Sequence, residues 1–241
     1  MIFWARIKEN MKTIAIITAR GGSKRIPRKN IKNFLGKPII AYSIKAALDS
    51  KIFDEVMVST DDIEIAEIAK RNGANVPFLR SEKTSNDYAT TSDVLFEVID
   101  EYEKRGQKFD VAACIYPTAP FITGDKLKSA FDKLIEGNAD TVIPVVEFSY
   151  PIQRAFVIDD EKLKFENTKY ISARSQDLEK HYHDAGQFYI FNIDAYKKSG
   201  NLLSGNIAPI IVNELEVQDI DNMTDWKIAE LKYKLMIESQ N

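Results

Sequence analysis

Thr13-Ile14-Ala15-Ile16-Ile17-Thr18 runs directly into Ala19-Arg20-Gly21-Gly22-Ser23-Lys24-Arg25-Ile26-Pro27-Arg28-Lys29-Asn30. The first six residues are β-branched or small and mostly apolar, the pattern of a short strand covered on both faces. The next twelve form a glycine-containing loop. Arg20, Lys24, Arg25, Arg28, Lys29 and Lys32 fall within thirteen residues without one acid. In an open α/β sheet ligands bind outside the carboxyl ends of the strands, so a cationic loop there, with backbone N–H groups free, is placed to hold phosphates. Charge alone is equally compatible with a solvated basic loop; its position after the first strand favours phosphate. The loop is neither a Walker A motif, which needs Gly-Lys-Ser/Thr after four residues, nor a dinucleotide fingerprint, which needs three spaced glycines. Kinase-type and NAD-dependent readings weaken accordingly.

Outward from this point, short apolar runs alternate with segments of helical period, as in parallel strands joined by crossover helices. Strands are expected at Thr13–Thr18, Glu55–Thr60, Val111–Ile115 and Asp140–Val146. Helical faces are expected from Ile40, Ile44, Ala47 and Leu48, from Val94, Leu95, Val98, Ile99 and Tyr102, and from Leu127, Ala130, Phe131, Leu134 and Ile135. Asp61 or Asp62 is placed to cap a further helix through Ile65, Ile68 and Ala69. The rhythm breaks after Val146. Glu147–Ala185 reads as loops plus a hairpin, Ala155–Ile158 and Lys162–Phe165, around the polar turn Asp159–Glu161. Regular structure resumes at Phe188–Asn192 and Ala208–Val212, followed by a helix on which Ile228, Leu231 and Leu235 share a face.

The 241 residues, 44% hydrophobic and 29% charged, suit one α/β domain with a modest insertion. Residues 12–241 are read as that domain, with the insertion at about 147–187, and residues 1–11 as an N-terminal extension. Lys plus Arg number 33 against 36 Asp plus Glu, and the net charge of −3 argues against broad nucleic-acid binding. The single cysteine, Cys114, excludes an internal disulfide and, with two histidines, leaves too few ligands for structural zinc. Cys114 lies within an expected buried strand and reads as an inert core residue. Met1–Asn10 is too short and too charged for a membrane span, and it lacks the apolar run and cleavage site of a signal peptide. A cytoplasmic protein is expected, with translation beginning at Met11.

The loop matches every fixed position of Ala-Arg-x-x-Ser-Lys-x-x-x-x-Lys-Asn, and in this it resembles the acylneuraminate (nonulosonic acid) cytidylyltransferases, which make CMP-activated acidic sugars. The likeness runs from Lys12 to about Asp225. Val58-Ser59-Thr60-Asp61, Leu79-Arg80 with Asp87 and Ala89-Thr90-Thr91, and Tyr116-Pro117-Thr118-Ala119-Pro120 resemble further segments of that family. The resemblance implies a Rossmann-like three-layer nucleotidyltransferase fold with a mostly parallel sheet, a homodimer formed through the inserted segment, and use of CTP with Mg²⁺.

By the same resemblance Arg20, Lys24 and Lys29 are the catalytic cations on the triphosphate, within a nucleotide-binding set of Ala19, Gly21, Gly22, Ser23 and Asn30. Arg80 and Thr91 would read the cytosine. Those residue types suit the chemistry: as pyrophosphate leaves, charge builds on the β-phosphate, and fixed cations stabilise it more than the ground state. Val217-Gln218-Asp219-Ile220-Asp221 resembles the family's metal-binding Asp-x-Asp. Residues i and i+2 of an extended segment face one way, so Asp219 and Asp221 can share one Mg²⁺; alternatively Asp221 or Asn222 caps the last helix.

The acidic-sugar pocket departs from the sialic-acid enzymes, with Tyr116 where Gln is common and His183-Asp184-Ala185-Gly186 where Arg-Pro-Asn-Gly is common. Phe148–Ala155, Ser175–Glu179 and Tyr182–Tyr189 resemble the branch that activates pseudaminic acid. Tyr116, Arg174, His183, Gln187 and Tyr189 are the expected sugar contacts, though each also suits packing or capping of the insertion. The expected reaction is CMP transfer from CTP to the anomeric hydroxyl of pseudaminic acid. The competing readings are another nonulosonic acid, legionaminic or N-acetylneuraminic, then Kdo, and a non-catalytic nucleotide- or RNA-binding module. Two carboxylates aimed at phosphates make sense in a binder of polyanions only with a metal between them.

Overall fold

A computed structural model of the chain describes residues 11–238. The expected N-terminal extension, apart from Met11, lies outside them. In chain order the elements are β1 (Thr13–Thr18), β2 (Asn33–Phe34), β3 (Lys37–Pro38), α1 (Ile40–Ser50), β4 (Glu55–Ser59), α2 (Ile63–Arg71), α3 (Glu82–Ser85), α4 (Thr91–Lys104), β5 (Val111–Ile115), α5 (Gly124–Glu136) and β6 (Thr141–Glu147). Then come β7 (Phe156–Asp159), β8 (Lys162–Phe165), β9 (Tyr182–Asp184), β10 (Phe188–Asn192), α6 (Ile193–Ser199), β11 (Ile207–Ile211) and α7 (Met223–Glu238). The predicted strands stand where expected to within a residue or so.

Among the described residues one seven-stranded sheet has the order β11-β6-β10-β5-β1-β4, with β9 pairing with β6 off that path. β1 lies parallel to β4 and β5, and β11 parallel to β6. β10 is inserted antiparallel between β5 and β6. The alternation of β1 divides the core: Ala15 and Ile17 pack with α1 and α5, whereas Ile14 and Ile16 pack with α4 and α6. The result is a three-layer, mostly parallel α/β sheet. Its strands read as apolar runs because helices cover both faces. The helical faces around Val94–Tyr102 and Leu127–Ile135 are buried throughout, but Leu48 is left exposed. Asp62 caps α2 by accepting from the Ile65 amide.

The last helix packs on a different face from the one its leucines suggest. Ile228, Leu231 and Leu235 are exposed, while Trp226, Ala229 and Met236 are buried. Trp226 and Tyr233 offer larger apolar area and meet Phe34 edge to face, at centroid distances of 5.6 and 5.7 Å. This cluster includes Ile26 of the basic loop and Ile220. It therefore seats the loop beside the Asp219–Asp221 segment.

The inserted segment contrasts with the sheet. Every residue of β7 is exposed, and the hairpin turns through Asp160 and Glu161 at φ 49° and 60°. Its final residues rejoin the sheet, since Tyr182–Asp184 pair with the end of β6. Between β9 and β10 the strand bulges at Ala185–Gln187, with Gly186 at φ 62°. No described helix is long and apolar enough to cross a membrane.

Candidate functional site

A cleft of about 300 Å³ opens at the carboxyl ends of β1 and β5. Seven of the predicted residues line it: Arg20, Ser23, Lys29, Asn30, Arg80, Thr91 and Tyr116. Separate stretches of the first half of the chain thus meet at one place.

The basic loop arrives with its donors already engaged. Gly21 N–H donates to Asp61 Oδ1 at 2.9 Å, so this amide is not free as the sequence suggested, and neither Gly21 nor Gly22 lines the cleft. A Cβ at Gly21 would meet Asp62 Oδ2 at 2.7 Å and displace that side chain, whereas one at Gly22 would meet open space. Ala19 is buried and its N–H donates to the Ser59 carbonyl, so it acts as backbone scaffold. Buried Asn30 donates from Nδ2 to the Arg20 carbonyl at 2.9 Å and ties the two ends of the loop together. Arg28 stands in the left-handed region at φ 56° and pairs with Asp62 and Glu64. The hydrogen bond to Arg28 holds the Asp62 carboxyl down at about 2.

Arg20 and Lys24 converge on a single carboxylate. Asp87 accepts from Arg20 at 2.8 Å and from Lys24 at 2.5 Å, and the Lys24 bond, then the Arg20 bond, holds its carboxyl below the usual range. Arg20, which lines the cleft, and Lys24, which does not, thus hold an anion supplied by the 81–90 segment. On the facing wall Arg80 is 8% exposed, donating from Nε to Ser59 Oγ at 3.0 Å and from its terminal nitrogen to the Ser59 carbonyl at 2.6 Å. Burial lowers its pKa to about 10, which leaves it charged at neutral pH. Thr91 opens α4 opposite, after the Thr90–Asp93 capping box.

Lys29 joins this cleft to the acidic pair, donating to the Ile220 carbonyl at 2.7 Å. Burial lowers its pKa, and Asp221 and Asp219 oppose that shift, so both carboxylates act on one ammonium. Asp219 is exposed, Ile220 buried and Asp221 half-buried, the alternation of an extended segment. Asn222, not Asp221, caps α7 by accepting from the Thr224 and Asp225 amides, which leaves the Asp221 carboxylate to pair with Arg25 at 2.6 Å. Hard carboxylate oxygens in this arrangement fit Mg²⁺, which takes one or two carboxylates plus substrate phosphates. Among the described residues no group of three or more His, Cys, Asp or Glu side chains is placed to hold a metal.

The predicted sugar contacts separate into groups. Tyr116 and Tyr189 meet edge to face at 5.8 Å, and the Tyr189 hydroxyl donates to Asp184 at 2.5 Å. Burial raises both phenol pKa values. Gln187 is buried in the bulge, donating from Nε2 to the Glu216 carbonyl at 2.5 Å while its Oε1 is without a hydrogen-bond partner. His183 packs on Phe148 at 4.8 Å and shares an adjoining cleft with Asp219. Arg174 is not brought to the cleft: it is exposed on the inserted segment and pairs with Asp177. Asp61, a candidate helix cap by sequence, instead braces Gly21, and Ser59, without a role by sequence, braces Arg80. Their signal is positional, at the end of β4 beside β1.

A family model described as cytidylyltransferase matches residues 14–215. A pseudaminic acid cytidylyltransferase of Campylobacter jejuni serotype O:2 is 43% identical over 230 residues, 95% of this chain and 99% of that protein. A CMP-N,N'-diacetyllegionaminic acid synthase of Legionella pneumophila is 33% identical over 239 residues, covering 95% and 99%. Among solved structures, CMP:2-keto-3-deoxy-manno-octonic acid synthetase complexed with CTP superposes with a TM-score of 0.67 at 18% identity, over 94% of this chain and 99% of that one, a likeness of fold alone. The sheet, the cleft at its carboxyl edge and these near-full-length relatives agree: the chain belongs to the cytidylyltransferase family.

Proposed function

We propose that the protein transfers CMP from CTP to the anomeric hydroxyl of pseudaminic acid, releasing pyrophosphate. The observation that carries this is the 43% identity across nearly the whole of both chains to a pseudaminic acid cytidylyltransferase, against 33% to the legionaminic acid enzyme. In this reading Arg20 and Lys24 exchange Asp87 for the triphosphate and hold the charge that grows on departing pyrophosphate. Lys29 supports the same charge while fixing the Ile220 carbonyl. Arg80 and Thr91 face the cytosine, Ser23 contacts the nucleotide from the cleft wall, Asn30 keeps the loop in shape, and Tyr116 with Tyr189 forms the wall toward the sugar. Asp219 and Asp221 would hold Mg²⁺, which when bound neutralises triphosphate charge and makes the sugar hydroxyl more acidic. Attack is direct and in line, without a covalent enzyme intermediate.

The protein acts as a homodimer in this reading. The inserted segment leaves Phe156, Val157, Ile158, Leu163 and Ile171 exposed, Ile158 at 79%, which is the surface a second copy would cover. A cytoplasmic location goes with a CTP-using reaction and with the free thiol of buried Cys114.

The test is pyrophosphate release with CTP and Mg²⁺ against pseudaminic, legionaminic, N-acetylneuraminic and Kdo acids, with ATP, GTP and UTP as controls. Turnover is expected with pseudaminic acid and CTP. Preference for another acid would keep the transfer and replace the sugar. A folded sample silent with every acid would overturn the assignment.

A further inference from the structure

Arg80 poses a packing question. Its guanidinium is buried, its side chain donates to Ser59, and among the described residues no carboxylate lies within ion-pair distance of it. Its backbone N–H donates to the Thr60 carbonyl at 2.8 Å. The 81–90 excursion follows Arg80 and ends at Thr91, the first residue of α4, so the two walls of the base site are the two ends of one loop.

Glu97 lies inside that loop's footprint, six residues into α4 from Thr91. Its Oε1 accepts from the Ser81 N–H at 2.7 Å, and its Oε2 accepts from the Ser81 hydroxyl at 2.6 Å and the Thr84 hydroxyl at 2.5 Å. All three donors belong to the five residues directly after Arg80. Burial pushes this carboxyl up, but those hydrogen bonds and the nearby Arg80 charge outweigh it and leave the group ionised. Asp61 is the other carboxylate acting on Arg80, and it is committed to the Gly21 N–H. Glu97 is therefore the group that ties the root of the excursion to the helix bearing Thr91.

We propose that Glu97 is a positioning residue for nucleotide recognition, clamping Ser81 and Thr84 so that Arg80 and Thr91 are held at a fixed separation across the base site. This rests on the assignment of Arg80 to the cytosine. Removing the clamp frees the loop root and lets Arg80 relax, with the loss falling on CTP binding and on discrimination by base. The chemical step, governed by Arg20, Lys24 and Lys29, is left in place.

The experiment is steady-state pyrophosphate release by Glu97→Ala, Glu97→Gln, Arg80→Ala and the Glu97→Ala/Arg80→Ala double variant, varying CTP and UTP separately and then the sugar. Glu97→Ala is expected to raise KM for CTP about tenfold, to narrow the CTP-over-UTP preference, and to leave kcat and the sugar KM within about twofold. Glu97→Gln keeps the side chain's volume and one acceptor and should fall between; it also serves if the alanine variant does not fold. Because Glu97 acts through Arg80, adding Glu97→Ala to Arg80→Ala should cost little more. Arg80→Ala losing the CTP preference while both Glu97 variants retain it would overturn the clamp and leave the Arg80 assignment standing. Arg80→Ala retaining the preference would overturn that assignment and the clamp with it. Parallel losses in CTP, UTP and sugar KM would reduce Glu97 to general support and also overturn the proposal.

Discussion

The nucleotide side and the inserted segment are built by opposite rules. Around the 300 Å³ cleft, strand ends, a loop tied end to end by Asn30 and an excursion held by Glu97 meet against the sheet, with Asn30 and Arg80 themselves buried. In the insertion, β7 and β8 pair with each other and leave most of their apolar side chains exposed, and Arg174, beyond them, forms a surface pair with Asp177. One region is closed within the chain; the other leaves the apolar surface that the proposed dimer would cover. The difference predicts that the proposed contact with a second copy is made through the insertion and not through the nucleotide cleft.

The sharpest way to break this contrast is Lys24→Ala. Lys24 is mostly exposed, so turnover should fall about a hundredfold to a thousandfold, roughly 3–4 kcal/mol of transition-state stabilisation, with an unchanged melting temperature. A matching loss of stability would make Lys24 structural. Next, Phe188→Ala, in the buried centre of the sheet, should cost about 3–5 kcal/mol in denaturant unfolding. Phe156→Ala in the exposed hairpin should cost about 1 kcal/mol or less in the isolated protomer. Equal penalties would mean that the hairpin is buried in solution. Third, Ile158→Asp with Leu163→Asp should shift sedimentation from dimer to monomer and raise the sugar KM more than the CTP KM. An unchanged dimer would place the interface elsewhere. The smallest effect is expected from Asp87→Asn: losing an anion that competes through exposed ion pairs should lower the CTP KM about twofold to fivefold. A raised KM would show that Asp87 helps to orient the nucleotide.

Much of the first region was legible because its signals are local. An apolar six-residue run followed by clustered cations places strand and loop, and a 3.6-residue period places the buried faces of α4 and α5. The pairing of the cations with acids was not legible, since Asp62, Asp87 and Asp221 reach the loop only through tertiary structure. Strand order was also hidden: nothing local in Phe188–Asn192 says that it runs antiparallel between β5 and β6. The docked face of α7 was misjudged because leucine spacing competed with two aromatic residues, and Phe34 decided the contest. Arg174 illustrates the remaining limit, as a contact expected from resemblance lies on a segment that a single chain leaves outside the cleft.

The place of β10 also bears on how the chain is made. β4, β1 and β5 can pair as soon as residue 115 is available, but β6 joins them through β10, which emerges only after the insertion. Until Asn192 leaves the ribosome, β5 presents an open, apolar edge, the kind of edge that recruits other chains. Yield during synthesis should therefore depend on how fast the ribosome and its chaperones carry the nascent chain past the hairpin, a burden that the finished fold does not display.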